Sequence, residues 1–217
     1  MQTYYPYSKP EILKSDVKEV VKILEKGYLS QGKKIIEFEK KICNVFKSKY
    51  AVVCNSGTAA LHMIYKSIGL DEKNGLITSP ITFLATANAA RMCNAPVSFC
   101  DVDPLTGLIT PELLEKAIKK SDFKVKAVTV VHLGGRLCDM EPISEVCKKY
   151  KSILIEDACH APGSEYISNR KKKYTTGSCN FSNAASFSFH AIKHITMGEG
   201  GGVFIRKESS SVDSSPS

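Results

Sequence analysis

The sequence predicts an α/β domain with a mainly parallel sheet that is covered by helices. Short apolar runs alternate with segments whose apolar residues recur at helical spacing, and this alternation is typical of a parallel sheet with crossover helices. The strand-like runs cover residues 50–54, 75–79, 96–100, 126–132 and 152–156. The helical patterns cover residues 58–68, 82–93, 111–120 and 139–150.

Two helices are expected before the alternation begins. Ser15 is the expected N-cap of the first, and Gly27 is its stop signal. The apolar face of this amphipathic helix consists of Val17, Val20, Val21 and Leu24. The second helix follows the pattern of Ile35, Ile36, Phe38, Ile42 and Phe46.

The later helix starts and the last strands also have clear signals. Thr110 followed by Pro111 predicts the start of a helix, because proline is favoured at the first helical position. After residue 164 the alternation gives way to a polar stretch. Two closely spaced strands are then expected over residues 184–189 and 200–205.

Length and composition indicate one main domain. The chain has 217 residues, of which 43% are hydrophobic and 24% charged, so it can bury one sizeable core. We expect an N-terminal arm over residues 1–14 and a large domain over residues 15–207. The serine-rich tail, residues 208–217, is expected to be disordered.

Charge and cysteine content favour a soluble protein with a small anionic substrate. The net charge is +8, and its one dense run, Arg170 to Lys173, is expected to be a solvated loop, with phosphate or nucleic-acid binding as the alternative. That run lacks interleaved aromatics, so a nucleic-acid partner is not expected. No signal peptide or long apolar stretch is visible, so no membrane partner is expected and the expected location is the cytoplasm. The eight cysteines form no CxxC pair and are expected to be free thiols.

Three segments could carry chemistry, and each also has a purely structural interpretation. Residues 55–61 place small residues where a strand gives way to a helix, which suits a phosphate but is also common in helix capping. Residues 153–160 end an apolar strand on Glu156, Asp157 and His160, which could bind a ring nitrogen or a metal, or cap the next segment.

The third segment places Lys193 between an apolar strand and a glycine-rich turn. A lysine beside a cavity can lose its proton and form a Schiff base, although most lysines are only solvated. His190 and His194 flank Lys193. No carboxylate that could complete a metal site lies near them in the sequence, so no metal is expected.

Taken together, these segments resemble the DegT/DnrJ/EryC1/StrS family of sugar aminotransferases, which use pyridoxal 5′-phosphate (PLP). The matching stretches are residues 27–33, 55–61, 79–88, 156–161 and 188–201. The resemblance implies the large domain of an aspartate-aminotransferase-like protein of PLP fold type I, with a mainly parallel seven-stranded sheet and helices on both faces. Such enzymes are homodimeric, and the cofactor lies between the subunits.

The resemblance also implies roles for individual residues. Lys193 would bond covalently to the cofactor and then shuttle a proton, and Asp157 would keep the pyridine nitrogen protonated. The phosphate would be bound by Gly57, Thr58, Ala59 and the hydroxyl of Ser188. His160 would lie near the oxygen side of the ring, and Phe83 would either stack on the ring or be a core aromatic. His132 would line the cleft or be a buried core histidine.

Within the family, residues 80–88, 163–166 and 189–193 are most similar to transaminases of pseudaminic-acid biosynthesis. The implied reaction moves an amino group from an amino-acid donor, expected to be glutamate, to the keto group of a 4-keto-6-deoxy nucleotide sugar. Family dehydratases carry histidine where this chain has Lys193, which favours transamination over dehydration.

Two departures from the family pattern keep another alternative open. The family continues past residue 205 into a small C-terminal domain, which is expected to be absent from this sequence. A non-catalytic fragment or partner subunit is therefore the alternative to an active enzyme. Residues 168–176 are longer than the usual hairpin of the family and are interpreted as a loop insertion.

Overall fold

The fold was described from a computed structural model, which covers residues 6, 8–27 and 29–206. Its helices are α1 Lys14–Lys26, α2 Lys33–Phe46, α3 Gly57–Ser67, α4 Ala85–Arg91, α5 Pro111–Lys120 and α6 Met140–Lys149. Its strands are β1 Tyr50–Cys54, β2 Asn74–Thr78, β3 Val97–Phe99, β4 Lys124–Val131, β5 Ile153–Asp157, β6 Glu165–Ile167, β7 Lys173–Thr175, β8 Ala184–Ser188 and β9 Gly201–Ile205. The expected disorder of residues 208–217 lies outside the described residues.

Seven of these strands form one sheet in the order β1-β9-β8-β5-β4-β2-β3. The four pairs from β8 to β3 are parallel, whereas β9 runs antiparallel to both β8 and β1. Strands β6 and β7 form a separate antiparallel hairpin. The predicted α/β class with a mainly parallel seven-stranded sheet is therefore confirmed.

Helices cover both faces of the sheet, as expected. Alternate residues of a strand point to opposite faces, so neighbours on β2 and β5 enter different cores. Leu76 and Ile155 pack with residues of α3 and α4. Ile77 and Leu154 pack with residues of α5 and α6 on the opposite face.

The second helix packs on the antiparallel part of the sheet through aromatic contacts. The ring of Phe46 lies 4.7 Å from that of Phe187 and 5.1 Å from that of Phe204. These distances are typical of aromatic pairs in protein cores. The predicted helical pattern in this segment is confirmed, and two of its residues, Ile42 and Phe46, are buried.

The first helix differs from its prediction at its start and in its packing. It begins at Lys14, because the Leu13 N–H donates to Asp16 Oδ2 at 2.8 Å, so the prediction of Ser15 as N-cap is wrong. A charged acceptor near a helix N-terminus also interacts favourably with the helix dipole. The stop at Gly27 is confirmed, with φ of 73°. No residue of α1 is buried within the described chain.

The fourth helix is shorter than its pattern predicted. It spans Ala85–Arg91 rather than residues 82–93, because the chain first makes a bend in which the Ile81 N–H donates to Ser79 Oγ at 3.1 Å. Thr82 and Phe83 therefore precede the helix instead of lying on one of its faces. The predicted start of α5 is confirmed, since Thr110 Oγ1 accepts a hydrogen bond from the Leu113 N–H at 3.3 Å.

Candidate active site

A cavity of about 270 Å³ opens where β5 and β8 end. The carboxyl ends of parallel strands are the usual position of ligand sites in such sheets. Four segments meet there: the start of α3, the bend before α4, and the loops that follow β5 and β8. Seven of the eight residues predicted for the site line the cavity: Gly57, Thr58, Phe83, Asp157, His160, Ser188 and Lys193.

Asp157 is the last residue of β5, and its buried carboxylate lines the cavity. The side chain is only 5% exposed, so burial alone would disfavour its charged form. Two donors offset this cost: the Thr86 hydroxyl lies 2.7 Å from Oδ2, and the Cys159 N–H lies 3.3 Å from Oδ1. A carboxylate held in this way can accept a further hydrogen bond from a ligand in the cavity.

Lys193 lies in a loop that begins after β8 and ends before β9. Backbone hydrogen bonds close this loop across its width, from the Phe189 N–H to Gly200 O at 2.8 Å and from the Ala191 N–H to Gly198 O at 2.9 Å. The hydroxyl of Ser8 also donates to Ile192 O at 3.1 Å. These hydrogen bonds hold the loop that carries Lys193 in place at the cavity, although the segment has no regular secondary structure.

The start of α3 lines one side of the cavity. Ser56 is the N-cap, and its hydroxyl accepts a hydrogen bond from the Ala59 N–H at 3.1 Å. Ala59 is therefore engaged in capping and does not line the cavity, in contrast to Gly57 and Thr58. The free N–H groups of a first helical turn bind anions well.

Two glycines allow the chain to approach itself closely at this point. A Cβ on Gly57 would lie 3.0 Å from Ser188 Cβ and 3.3 Å from Cys159 Sγ. A Cβ on Gly201 would lie 2.2 Å from Ser56 O, which is a severe overlap. Gly201 lets β9 pack directly against the start of α3, and Gly57 lets that start approach Ser188 of β8. A role for Gly201 was not predicted from the sequence.

Phe83 projects from the bend before α4 and lines the mouth of the cavity. Its side chain is 64% exposed. The alternative that Phe83 is a core aromatic of a helix is therefore wrong. An exposed aromatic ring at a cavity mouth can cover one face of a planar ligand.

His160 and Cys159 follow Asp157 along the wall of the cavity. Partial burial, together with the positive charge of Lys193, lowers the pKa of His160. Its Nδ1 lies 3.4 Å from the Gly134 N–H, which donates to it. Burial and the negative charge of Asp157 raise the pKa of Cys159 well above the ordinary value, so this thiol is protonated at neutral pH.

Glu156, the neighbour of Asp157, points to the other face of the sheet. It is fully buried, with Ser182 Oγ 2.5 Å from Oε1 and His132 Nε2 3.1 Å from Oε2. The Cys138 N–H donates to His132 Nδ1 at 3.2 Å, so the imidazole proton is on Nε2 and is donated to Glu156. His132 is a buried core histidine and does not line the cavity.

The basic run of the sequence does not line the cavity. The basic run from Arg170 to Lys173 is exposed in the β6–β7 hairpin, as expected for a solvated loop. Residues 168–172 form the turn of that hairpin. Within the described ranges, no three His, Cys, Asp or Glu side chains are grouped as metal ligands. In the same part of the chain, no helix is both long and apolar enough to span a bilayer.

Several residues that shape the cavity were not predicted from the sequence. Thr86 lies in the matching stretch of residues 79–88 without a predicted role, yet it is fully buried and contacts Asp157. Thr82, four residues earlier, lines the cavity, as does Glu199. The spacing of the two threonines was visible in the sequence, but it does not reveal which carboxylate the pair faces.

A sequence profile of the DegT/DnrJ/EryC1/StrS aminotransferase family matches residues 10–212. The chain belongs to this family. It is 42% identical to the UDP-4-amino-4,6-dideoxy-N-acetyl-beta-L-altrosamine transaminase of Campylobacter jejuni over 197 residues, which is 91% of this chain and 50% of the relative. The chain thus spans about half the length of the curated relatives that it matches.

Solved structures of similar fold include PLP-dependent proteins. Helicobacter pylori PseC, an aminotransferase of pseudoaminic acid biosynthesis, superimposes with a TM-score of 0.83 at 33% identity, covering 94% of this chain and 52% of PseC. A Streptococcus pneumoniae protein named as a sugar aminotransferase, in its PLP form, gives a TM-score of 0.86 at 27% identity, covering 94% and 53%. The aspartate-aminotransferase-like fold is confirmed, and so is PLP as the cofactor of the family.

Proposed function

We propose that this chain forms the cofactor-binding part of a PLP-dependent aminotransferase that acts on a nucleotide-linked keto sugar. The observation that carries the proposal is the convergence of Lys193, the buried Asp157 carboxylate and the start of α3 on one cavity. Each group suits a different part of PLP: its aldehyde, its ring nitrogen and its phosphate.

The residues at the cavity fit this cofactor chemically. A buried carboxylate that two donors hold in place can accept a hydrogen bond from the protonated pyridine nitrogen and so favour that protonated form. Gly57 leaves room beside Ser188 where any side chain would fill the space. Thr58 and the Ser188 hydroxyl supply polar groups next to the helix start, and Phe83 supplies an aromatic face.

When bound, PLP supplies an electron sink and carries the amino group between the two substrates. Lys193 would bond to it covalently in the resting protein. During the reaction the lysine amine would take the proton from the donor carbon and return one to the sugar carbon. Asp157 would hold the protonated pyridine nitrogen in place throughout. His160, whose pKa is lowered, would stay neutral beside the ring.

We further propose a 4-keto-6-deoxy nucleotide sugar as the amino acceptor and glutamate as the donor. The support for the sugar is the 42% identity to a transaminase whose name contains UDP-4-amino-4,6-dideoxy-N-acetyl-altrosamine. Lysine rather than histidine at position 193 supports amino transfer over dehydration. Assaying amino transfer from labelled glutamate to the nucleotide sugar would test both substrates, and dehydration without amino transfer would contradict the proposal.

The covalent link to Lys193 can be tested without turnover. Purified chain is mixed with PLP, reduced with borohydride and digested, and the peptide that carries the cofactor is identified by mass spectrometry. We expect the label on Lys193 and its loss in Lys193→Ala. Lys173→Ala, which removes an exposed lysine from the distant hairpin, is the matched control and is expected to label normally.

Two outcomes would argue against the proposal. Label spread evenly over surface lysines would show that the cavity does not select PLP. A chain that is folded by circular dichroism but takes up no PLP would favour the alternative of a non-catalytic fragment. A specific label on Lys193 without any amino transfer would restrict the proposal to cofactor binding.

The assembly, compartment and domain bounds are also proposals. We propose a homodimer, because Val17, Val20 and Leu24 of α1 are each more than half exposed and would be covered by a second copy. Sedimentation equilibrium tests this, and a monomer at all concentrations would contradict it.

The eight free cysteines support a reducing, cytoplasmic location. Residues 15–207 are proposed as the PLP-binding domain, after an arm over residues 1–14.

A further inference from the structure

Thr86 occupies a central position in a buried hydrogen-bond chain behind the cavity. Its Oγ1 lies 2.7 Å from Asp157 Oδ2, 2.8 Å from Thr82 Oγ1 and 3.2 Å from Phe83 O. The residue is fully buried on the first turn of α4. No other hydroxyl contacts the Asp157 carboxylate among the described residues.

The direction of these hydrogen bonds follows from the number of protons that each group can donate. A hydroxyl has one proton, and an ionised carboxylate can only accept, so Thr86 donates to Asp157 over the shortest of its contacts. The lone pairs of Thr86 Oγ1 are then available to Thr82, which donates to it. The order is therefore Thr82 to Thr86 to Asp157, from the cavity rim inwards.

The backbone at Thr86 is fixed independently of the site. The Tyr65 hydroxyl donates to Thr86 O at 3.1 Å, because a carbonyl oxygen can only accept. Thr129 Oγ1 lies 2.9 Å from the same phenol and donates to it in turn. Burial raises the pKa of Tyr65 far above its ordinary value, so the phenol keeps its proton at neutral pH.

We propose that Thr86 is a positioning residue, which holds the Asp157 carboxylate turned towards the ring nitrogen of the cofactor. The Cys159 N–H holds Oδ1, and Thr86 holds Oδ2, so both oxygens are restrained and the carboxylate cannot rotate freely. Tyr65 fixes the helix turn that carries Thr86. This inference rests on the proposed binding of PLP, and it concerns how Asp157 is placed rather than whether Asp157 acts.

The test compares Thr86→Val with Thr86→Ser. Valine keeps the shape of threonine and removes the hydroxyl, whereas serine keeps the hydroxyl. Hydrogen bonds to charged groups contribute enough that we expect Thr86→Val to weaken PLP binding about ten- to a hundred-fold, as measured by absorbance titration. Thr86→Ser is expected to restore most of the affinity.

A cofactor analogue separates positioning from a loss of folding. In 1-deaza-PLP a C–H group replaces the ring nitrogen, so the partner of Asp157 is absent. The parent chain and Thr86→Val are expected to bind this analogue equally. Thr176→Val is the control for losing a buried hydroxyl elsewhere, since Thr176 donates to Ser164 O at 2.9 Å, and it is expected to bind PLP like the parent.

The outcomes distinguish this inference from the proposed function. Equal PLP affinity of Thr86→Val and the parent would overturn the inference and leave the function intact. An equal loss of affinity for PLP and for 1-deaza-PLP would also overturn it, because the role of Thr86 would then be structural. A folded parent chain that binds no PLP would overturn both.

Discussion

Two neighbouring acids at the end of β5 have opposite environments. Glu156 and Asp157 are both buried, at 0% and 5% exposure, and each accepts a hydrogen bond from a hydroxyl. Glu156 is enclosed on the α5–α6 face with His132 and Ser182. Asp157 faces the cavity on the α3–α4 face. The comparison shows that burial alone does not identify a functional acid. What matters is whether the carboxylate faces a cavity from which a ligand can reach it.

The largest expected effect of this difference is on the reaction. Asp157→Asn preserves the size of the side chain but removes the charge that keeps the ring nitrogen protonated. We expect transamination to slow by about 10²–10³-fold, the range typical of losing one key electrostatic group. The measurement is the steady-state rate with saturating PLP. Urea unfolding is the control and should change little, and an unaffected rate would contradict the assigned role of Asp157.

The opposite pattern is expected for Glu156. In Glu156→Ala the Ser182 hydroxyl and the His132 Nε2–H lose their buried acceptor. Two unsatisfied buried donors are expected to lower the free energy of unfolding by about 3 kcal/mol. Urea denaturation measures this loss, and Glu145→Ala, which removes an exposed acid from α6, is the control.

The contrast between the two acids also predicts how Glu156→Ala binds PLP. The folded fraction is expected to bind PLP with the affinity of the parent, since Glu156 does not touch the cavity. If Glu156→Ala instead lost PLP binding without losing stability, the two faces would not be functionally separate.

The smallest expected effect concerns the titration of His160. Its pKa is lowered by burial and by the charge of Lys193, so Lys193→Ala is expected to raise it towards the ordinary value of about 6.5. A histidine with a lowered pKa makes the folded state less stable as pH falls below about 6.5, because the unfolded chain binds the proton first. Proton NMR of the His160 ring in the two proteins measures the shift, and an unchanged or lowered pKa in the variant would show that Lys193 lies too far away to act.

Much of the fold could be predicted because its signals are local. Strand β1 and helix α5 have the predicted bounds, and the remaining sheet strands match to within a few residues. Prediction failed at Ser15 and over residues 82–84, where a carboxylate contact and a bend decided the helix starts. The antiparallel insertion of β9 between β1 and β8 was also not predicted, because strand order depends on contacts distant in sequence.

The candidate site was predicted less completely. Lys193 and Asp157 carry recognisable chemistry and lie at segment ends, so their motifs identify them. Thr86 and Gly201 have no such signature: one acts through a hydrogen bond to a residue 71 positions away, and the other through the absence of a side chain beside Ser56 O. Neither relation exists until the sheet has formed.

The sequence by itself determined the alternation of strands and helices, the family and the reactive residue types, because periodicity and motif order are properties of the linear chain. Alternation along β5 also requires that Glu156 and Asp157 point to opposite faces. Which of those faces holds a cavity and which a sealed core was decided only by the tertiary structure. The physical reason is that on one side the bend before α4 lines an open cavity, whereas His132 and Ser182 fill the space on the other.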